Sequence, residues 1–171
     1  MIFLYYFFAI LLVYISYLSF RGGFDYLNFF RRELAKPRSG YTPFCSIIAP
    51  CKGLDEDLEK NLSALFKQDF PNYEVIFVVD SETDEALSVI KKLSNSKFKI
   101  QNSKLVVASQ TTGSSQKVEN LREAVLHVSE KSEVFVFVDS DARPNKDWLR
   151  NLIAPLQDEN IGCASSYRWF I

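Results

Sequence analysis

Apolar residues divide this chain into one unbroken apolar run near the N terminus and a longer region where apolar and mixed segments alternate. The run from Ile2 to Phe20 is nineteen residues without a charge. A helix of that length reaches ~28 Å, close to the ~30 Å hydrocarbon core of a bilayer. The pattern therefore predicts a transmembrane anchor over residues 1–21. A secretory signal peptide is the competing interpretation, but it needs a basic start and a small-residue cleavage site, and neither occurs before Arg21.

The flanking charges predict how this anchor is oriented. Basic residues follow the apolar run and none precedes it: Arg21, Arg31, Arg32, Lys36 and Arg38. Because positive charge stays on the cytoplasmic side, the region that follows is predicted to be cytoplasmic. Residues 22–43 form a basic juxtamembrane segment that ends in KPRSGYTP, a composition typical of a linker.

Residues 44–171 alternate strand-length apolar runs with helical patterns. Strands are predicted at 44–49, 73–79, 104–108 and 133–138, with a further one at 161–167. Between them apolar residues recur at helical spacing, as in Leu58, Leu62 and Leu65. Similar patterns follow in Ala86, Ile90 and Leu93, in Val118, Leu121 and Val125, and over residues 148–156.

Two of the predicted strands, EVIFVVD and EVFVFVD, are continuously apolar instead of alternating. Both are therefore predicted to be buried on both faces, as in a parallel sheet covered by helices. Strand–helix alternation leads to the same class, an open, mostly parallel, doubly wound α/β sheet. In such sheets ligands bind at the carboxyl ends of the strands.

Charge and cysteine content narrow the function classes. The formal net charge is −1, so the basic excess of a nucleic-acid-binding protein is absent. Cys45, Cys51 and Cys163 lack the spacing of zinc ligands and are predicted to be reduced thiols. The sequence contains neither GxGxxG nor GxxxxGK[ST], which leaves a dinucleotide-binding fold or a P-loop without support.

Aspartates follow two of the predicted strands. Asp80 ends EVIFVVD, and Asp139 ends EVFVFVD with Asp141 two residues later. If the extended backbone continued, Asp139 and Asp141 would lie on one face, ~6–7 Å apart, and would repel each other without a cation. Mg²⁺ or Mn²⁺ suits such a pair. The alternative is that these aspartates only cap helices or form turns, and Asp80 in particular would start the next helix.

Two lysines lie near the same predicted edge. Lys117 comes at the start of the third helix of this region, where the helix dipole disfavours a cation without an anionic partner. This position indicates a phosphate, although a solvated lysine fits it too. Lys52-Gly53 follows the first strand, where it also suits a simple turn.

In order and spacing, five segments resemble a family 2-type inverting glycosyltransferase with the GT-A fold, more narrowly its ceramide glucosyltransferase-like branch. The segments are PCKGLD at 50–55, QDFPNYEV at 68–75, Asp80, SQKVENL at 115–121 and VDSDARP at 138–144. The resemblance runs from about Phe44 to the chain end.

The resemblance implies a role for each site residue. Asp80 would contact the uracil or ribose of a UDP-sugar, and Lys117 would lie near the nucleotide. Pro50 and Lys52 would line the same donor pocket. Asp139 and Asp141 would hold Mg²⁺ or Mn²⁺ against the diphosphate, whose charge develops as it leaves.

The sequence also departs from the family pattern. Ser81-Glu82 stands where many relatives carry Asp-Gly, so the local turn is expected to differ. The catalytic aspartate and the Q/R-x-x-R-W motif that follow the acidic motif in the family are not found. Arg168-Trp169 comes too early and has Ser165 three residues before Arg168. We therefore expect a C-terminally truncated chain that is inactive by itself, with its general base beyond Ile171.

These inferences combine into one expected function and two alternatives. The expected function is a membrane-anchored transferase that moves a sugar from a UDP-sugar to a lipid-like acceptor with inversion. The alternatives are a non-catalytic remnant that binds a nucleotide-sugar, and a membrane-tethered interaction domain. The sequence does not identify the sugar, the acceptor, the number of further transmembrane helices or the oligomeric state.

Overall fold

The computed structural model describes residues 1–35, 39–94 and 102–166, which belong to two separate units. The first unit is Met1–Arg38 and the second is Ser39–Ile171.

The first unit is one long helix, α1, at Ile2–Leu34. Within the described residues it is the one helix long and apolar enough to cross a membrane. The helix does not stop at Arg21, where the uncharged run ends, but continues through a mixed segment with Arg31 and Arg32 in its last turn.

The second unit is built on a sheet of four parallel strands. They are β1 at Cys45–Pro50, β2 at Tyr73–Val79, β3 at Ser103–Val107 and β4 at Val134–Phe137, in the order β3-β2-β1-β4. Chain order therefore runs outward from β1 to β2 and β3 and then returns to the other side of β1 for β4. The reversal puts a topological switch point between β1 and β4, where folds of this class bind ligands.

Helices cover both faces of this sheet. They are α2 at Leu58–Leu65, α3 at Ala86–Ser94, α4 at Gln116–Leu126 and α5 at Trp148–Ile153, and a 3-10 turn follows at Ala154–Gln157. The larger core cluster joins α2, α3 and α5 to one face of the sheet, around Phe77 and Ile47. The smaller cluster packs α4 on the other face, where Ala124 meets Ile48 and Ile76. The predicted doubly wound α/β class is confirmed.

One prediction about burial is wrong. The last six residues of β2 are buried, but Phe135 and Phe137 of β4 are 44% and 54% exposed. The reason is the place of β4 at the edge of the sheet within the described residues: Phe135 and Phe137 lie on the face where α4 packs against β1, β2 and β3.

The other predicted elements agree with the structure to within a few residues, except at the C-terminal end. The predicted strand at 161–167 does not form over residues 161–166, which have no regular structure. Tyr167 and the Arg168-Trp169 pair lie outside the described residues.

Candidate functional site at the strand ends

A cleft of about 340 Å³ opens where β1, β2 and β4 end and α4 begins. It brings together all six residues that the sequence analysis singled out: Pro50, Lys52, Asp80, Lys117, Asp139 and Asp141. Parallel strands place their carboxyl ends along the same edge of a sheet, which is why residues so far apart in sequence meet here. The remaining lining residues are Cys51, Asp55, Gln116, Asn120 and Ser140.

On the β2 side of the cleft the carboxylate of Asp80 is buried and held in place. Its side chain is 9% exposed, and its Oδ2 accepts a hydrogen bond from Lys52 Nζ at 3.0 Å. Gln110 Nε2 donates to the Asp80 carbonyl at 2.6 Å and fixes the backbone of the same residue. Asp80 therefore presents a carboxylate in a defined position.

The helix-capping alternative for Asp80 does not hold, because Asp84 takes that role. Asp84 Oδ1 accepts from the backbone N–H of Ala86 at the start of α3, at 2.8 Å. It also accepts from the N–H of Gly53 at 3.0 Å, which ties the turn after β1 to the turn after β2. Gly53 has φ +64°, a left-handed conformation that favours glycine.

On the β4 side the carboxylate of Asp139 is exposed and pairs with a lysine. Lys117 Nζ lies 2.6 Å from Asp139 Oδ1, and both side chains are more than half exposed. Lys117 is the second residue of α4, so this carboxylate supplies the anionic partner that a cation at a helix N terminus requires.

The extended geometry expected for Asp139 and Asp141 is not present. β4 ends at Phe137, and the chain then turns, with the N–H of Ala142 donating to the Asp139 carbonyl at 3.1 Å. The turn replaces the alternation of a strand, yet both carboxylates still line the same cleft.

The donor set suits a hard divalent cation that shares its ligands with a substrate. Among the residues the structure describes, no group of three or more acidic, histidine or cysteine side chains could hold a metal ion. Asp139 and Asp141 therefore supply at most a partial shell, and Mg²⁺ or Mn²⁺ characteristically completes such a shell with phosphate oxygens and water.

The charge of the cleft favours the same kind of ligand. Four carboxylates, those of Asp55, Asp80, Asp139 and Asp141, face two ammonium groups, those of Lys52 and Lys117. The excess is negative, so the cleft attracts cations more readily than anions.

Three hydrogen bonds tie the acidic turn to α2 and to the segment just before it. Ser140 Oγ donates to Asp55 Oδ2 at 3.2 Å. Arg143 donates through Nη2 to Asp57 Oδ2 at 2.7 Å and through Nε to Asn61 Oδ1 at 3.0 Å. Hydrogen bonds from Lys60 and Arg143 lower the pKa of Asp57 below its ordinary value.

Gln116 and Asn120 form a polar pair on α4 that was not among the predicted site residues. Gln116 Nε2 donates to Asn120 Oδ1 at 2.9 Å, and Asn120 is only 5% exposed. Gln116 Oε1 also accepts from the N–H of Thr111 at 2.9 Å, which fixes the loop before the helix. The available signal was the spacing of an amide pair four residues apart on a predicted helix.

The thiol in the cleft is not a nucleophile. Burial, with the charges of Asp84 and Asp55 adding to it, raises the pKa of Cys51 to about 12. Because the thiolate is the reactive form, this cysteine stays unreactive at neutral pH.

A larger depression of about 590 Å³ lies by α2 and α3, away from the strand ends. Its charged side chains pair with one another, Lys60 with Asp57 at 2.6 Å and Lys92 with Glu59 at 2.7 Å. It does not gather the residues at the strand ends.

Comparison with known proteins identifies the class and then the family. The fold resembles that of a mannosyltransferase from Pyrobaculum calidifontis, solved in complex with GDP-Man and Mn²⁺, with a TM-score of 0.60 and 24% identity. That similarity covers 86% of this chain and 44% of the mannosyltransferase, and it defines the GT-A-like fold. The chain matches glycosyl transferase family 21 over residues 6–169, and it belongs to that family.

Individual relatives cover only part of the chain. Ceramide glucosyltransferase 3 of Caenorhabditis elegans is 32% identical over 103 residues, 58% of this chain and 22% of that protein. The poly(ribitol-phosphate) beta-N-acetylglucosaminyltransferase TarS of Staphylococcus aureus strain Mu50 is 32% identical over 117 residues, 67% of this chain and 19% of that protein. The chain thus spans about a fifth of these curated relatives.

One further solved structure has a sugar nucleotide bound. Residues 1–349 of S. aureus TarS, in complex with UDP-GlcNAc, share 30% identity with this chain and a TM-score of 0.50. The similarity covers 68% of this chain and 32% of that one.

Proposed function

We propose that this chain is the donor-binding part of a membrane-anchored glycosyltransferase that uses a UDP-sugar and Mg²⁺ or Mn²⁺. The proposal rests on the cleft at the strand ends, which brings together two lysines and four aspartates. The chain that forms this cleft belongs to a family of glycosyl transferases.

The two sides of the cleft take different parts of the donor. Asp80, buried and held by Lys52, is a fixed acceptor for hydrogen bonds from the uracil or ribose. Pro50 and Lys52 line the same side. When the donor binds, the ammonium group of Lys117 leaves Asp139 and contacts the diphosphate. The position of Lys117 at the start of α4 suits a bound anion.

Asp139 and Asp141 would hold the divalent cation between the protein and the diphosphate. Such a cation supplies charge stabilisation to the departing diphosphate. The negative excess of the cleft makes binding of metal and nucleotide mutually dependent, because each offsets the charge of the other.

The proposed reaction is transfer with inversion to a lipid acceptor. The acceptor hydroxyl oxygen attacks the anomeric carbon, the bond from that carbon to the diphosphate breaks, and the proton passes to a carboxylate base. We propose that this base belongs to sequence beyond Ile171, so that the 171 residues alone bind the donor without transferring the sugar. The lipid acceptor is inferred from the anchor and the ceramide glucosyltransferase relatives.

The anchor is proposed to place the cleft on the cytoplasmic side of the membrane. The support is the run of basic residues after the apolar stretch, among them Arg21, Arg31 and Arg32.

The test is ligand-dependent thermal stability of the full chain in detergent micelles. UDP with Mn²⁺ at 100 times the dissociation constant should stabilise the protein by about 2.7 kcal/mol, a shift of several degrees. UDP without Mn²⁺ should give a much smaller shift. The double variant Asp139→Asn with Asp141→Asn should lose the shift while still folding.

A matched control removes two acidic charges outside the cleft, at Glu130→Gln with Glu159→Gln, both exposed. It should keep the full shift. If neither the unaltered protein nor the control responded to UDP with Mn²⁺, the interaction-domain alternative would replace the proposal. Sugar transfer by the 171-residue chain would overturn only the placement of the base.

A further inference from the structure

The length of α1 exceeds what a bilayer can accommodate. Its 33 residues extend ~50 Å at 1.5 Å per residue, against a hydrocarbon core of ~30 Å. Even at a tilt of ~40°, near the upper limit for such helices, the core takes up only about 26 residues. Part of the helix therefore lies outside the hydrocarbon.

Charge identifies which part that is. The uncharged run ends at Phe20, and every charged side chain of α1 follows it: Arg21, Asp25, Arg31, Arg32 and Glu33. Charged groups are expensive in hydrocarbon, so the segment outside the core is residues 21–34.

This outer segment is amphipathic. At 100° per residue Tyr26, Leu27 and Phe30 fall within one arc of about 100°, whereas Asp25, Asn28 and Arg32 fall on the opposite side. The Tyr26 and Phe30 rings stack at 6.4 Å with 23° between their planes, which makes the apolar face continuous.

A segment projecting straight into water would leave this apolar face exposed. In the interfacial region the same face enters the acyl boundary, while the arginines reach the lipid phosphates. Aromatic side chains favour that depth. Gly22 and Gly23 lie at the junction between the two parts, and glycine pairs are sites where helices bend.

We propose that residues 24–34 of α1 bind the headgroup region of the membrane that the preceding residues span, with Tyr26, Leu27 and Phe30 facing the acyl chains. The inference rests on the proposed membrane anchor.

The experiment is site-directed spin labelling of the full chain in phosphatidylcholine:phosphatidylserine vesicles. Cys163→Ser provides the background, because Cys45 and Cys51 are buried and burial raises the pKa of both thiols to about 12. Cysteines are then introduced singly as Phe30→Cys on the apolar face, Asn28→Cys on the polar face and Ile10→Cys in the span. Accessibility to O₂ and to a water-soluble nickel chelate reports the depth of each label.

The expected result is that the label at position 30 is accessible to O₂ and protected from nickel, whereas the label at position 28 is accessible to nickel. Equal nickel accessibility at the two positions would mean a projecting helix and would overturn the inference. Protection of position 30 from both reagents would mean that protein covers it, which also overturns the inference.

The label at position 10 distinguishes rejection of the interfacial segment from rejection of the transmembrane anchor. Protection from nickel there, with a negative result at position 30, would reject the interfacial segment alone. Nickel accessibility at position 10 would reject the span, and the inference with it.

Discussion

β2 and β4 start from nearly the same sequence and end in different environments. EVIFVVD at 74–80 lies between two strands, so Phe77 is fully buried and Asp80 is 9% exposed. EVFVFVD at 133–139 pairs with β1 alone within the described residues, so Phe137 is 54% exposed and the Asp139 side chain equally so. An apolar strand ending in aspartate therefore specifies neither its own burial nor the exposure of that aspartate, because both depend on where the strand lies in the sheet and on the helices that cover it.

The largest expected effect comes from truncating one phenylalanine in each strand, Phe77 in β2 and Phe137 in β4. Phe77→Ala removes a ring packed edge-on against Phe66 at 5.6 Å and should destabilise the fold by about 3–5 kcal/mol. Phe137→Ala should cost less than about 1 kcal/mol, because its ring is already largely solvated. Urea unfolding of the full chain in micelles measures both. Similar losses would contradict the exposed position of Phe137.

A second test compares the glutamates that open the two segments. Glu74 is 3% exposed and accepts hydrogen bonds from the Ser129 N–H and the Ser46 hydroxyl, with Lys104 Nζ at 3.1 Å. Glu74→Gln should cost about 1–3 kcal/mol at pH 7. Glu133→Gln is the matched change, and it should cost less because Glu133 accepts from the Phe44 N–H at an exposed site.

Glu74 also predicts a pH dependence. Burial alone would raise the pKa of Glu74, but the hydrogen bonds from Ser129, Ser46 and Lys104 outweigh burial and lower it below 4.5. The unfolded chain then binds the proton more readily, so this contribution is present above the unfolded pKa and is lost as pH falls through the lower, folded pKa. Glu74→Gln should flatten the acid side of the stability curve between those two pKa values. An unchanged acid profile would count against the assignment.

The third test compares the two aspartates without ligand. Asp80→Asn weakens a charge-assisted hydrogen bond at a buried carboxylate and should cost about 1–2 kcal/mol. Asp139→Asn breaks an exposed pair and should cost between about 0 and 1 kcal/mol. If the carboxylate of Asp139 were held more tightly than that of Asp80, Asp139→Asn would cost more stability than Asp80→Asn. Thermal unfolding in metal-free buffer distinguishes the two cases.

The smallest expected effect on stability comes from Arg143, which joins the acidic turn after β4 to Asp57 and Asn61. Arg143→Gln should change stability by about 0–1 kcal/mol yet weaken binding of UDP with Mn²⁺, because the turn that carries Asp139 loses its attachment to α2. Arg122→Gln is the matched control, since Arg122 pairs only with Glu119 on the surface of α4 among its described ion pairs. Calorimetric titration measures both variants, and equal affinities would exclude a positioning role.

Much of this architecture could be predicted from local patterns, and most of the exceptions depend on how residues distant in sequence come together. The strand positions and the gathering of Lys52, Asp80, Lys117 and Asp139 follow from apolar runs and from the rule that parallel strands end at one edge. The exposure of Phe137 could not be predicted, because it depends on the order of strands in the sheet.

Contacts between distant residues account for the other misses. Arg143 reaches Asn61 and Asp57 across sequence separations of 82 and 86 residues. The segment VDSDARP that contains Arg143 gives no indication of those partners. The turn at Asp139 has a different reason: the expected extended geometry reaches Asp141, whereas β4 ends four residues earlier, at Phe137.

The position of β4 in the sheet also affects synthesis of the chain. β1, β2 and β3 are complete once Val107 has been made, but the second edge of β1 gains its partner only with Phe137. At roughly 5–20 residues per second those thirty residues take about 2–6 s. During that interval nascent chains carry an apolar, unpaired strand edge, and neighbouring ribosomes on one message would bring several such edges close together.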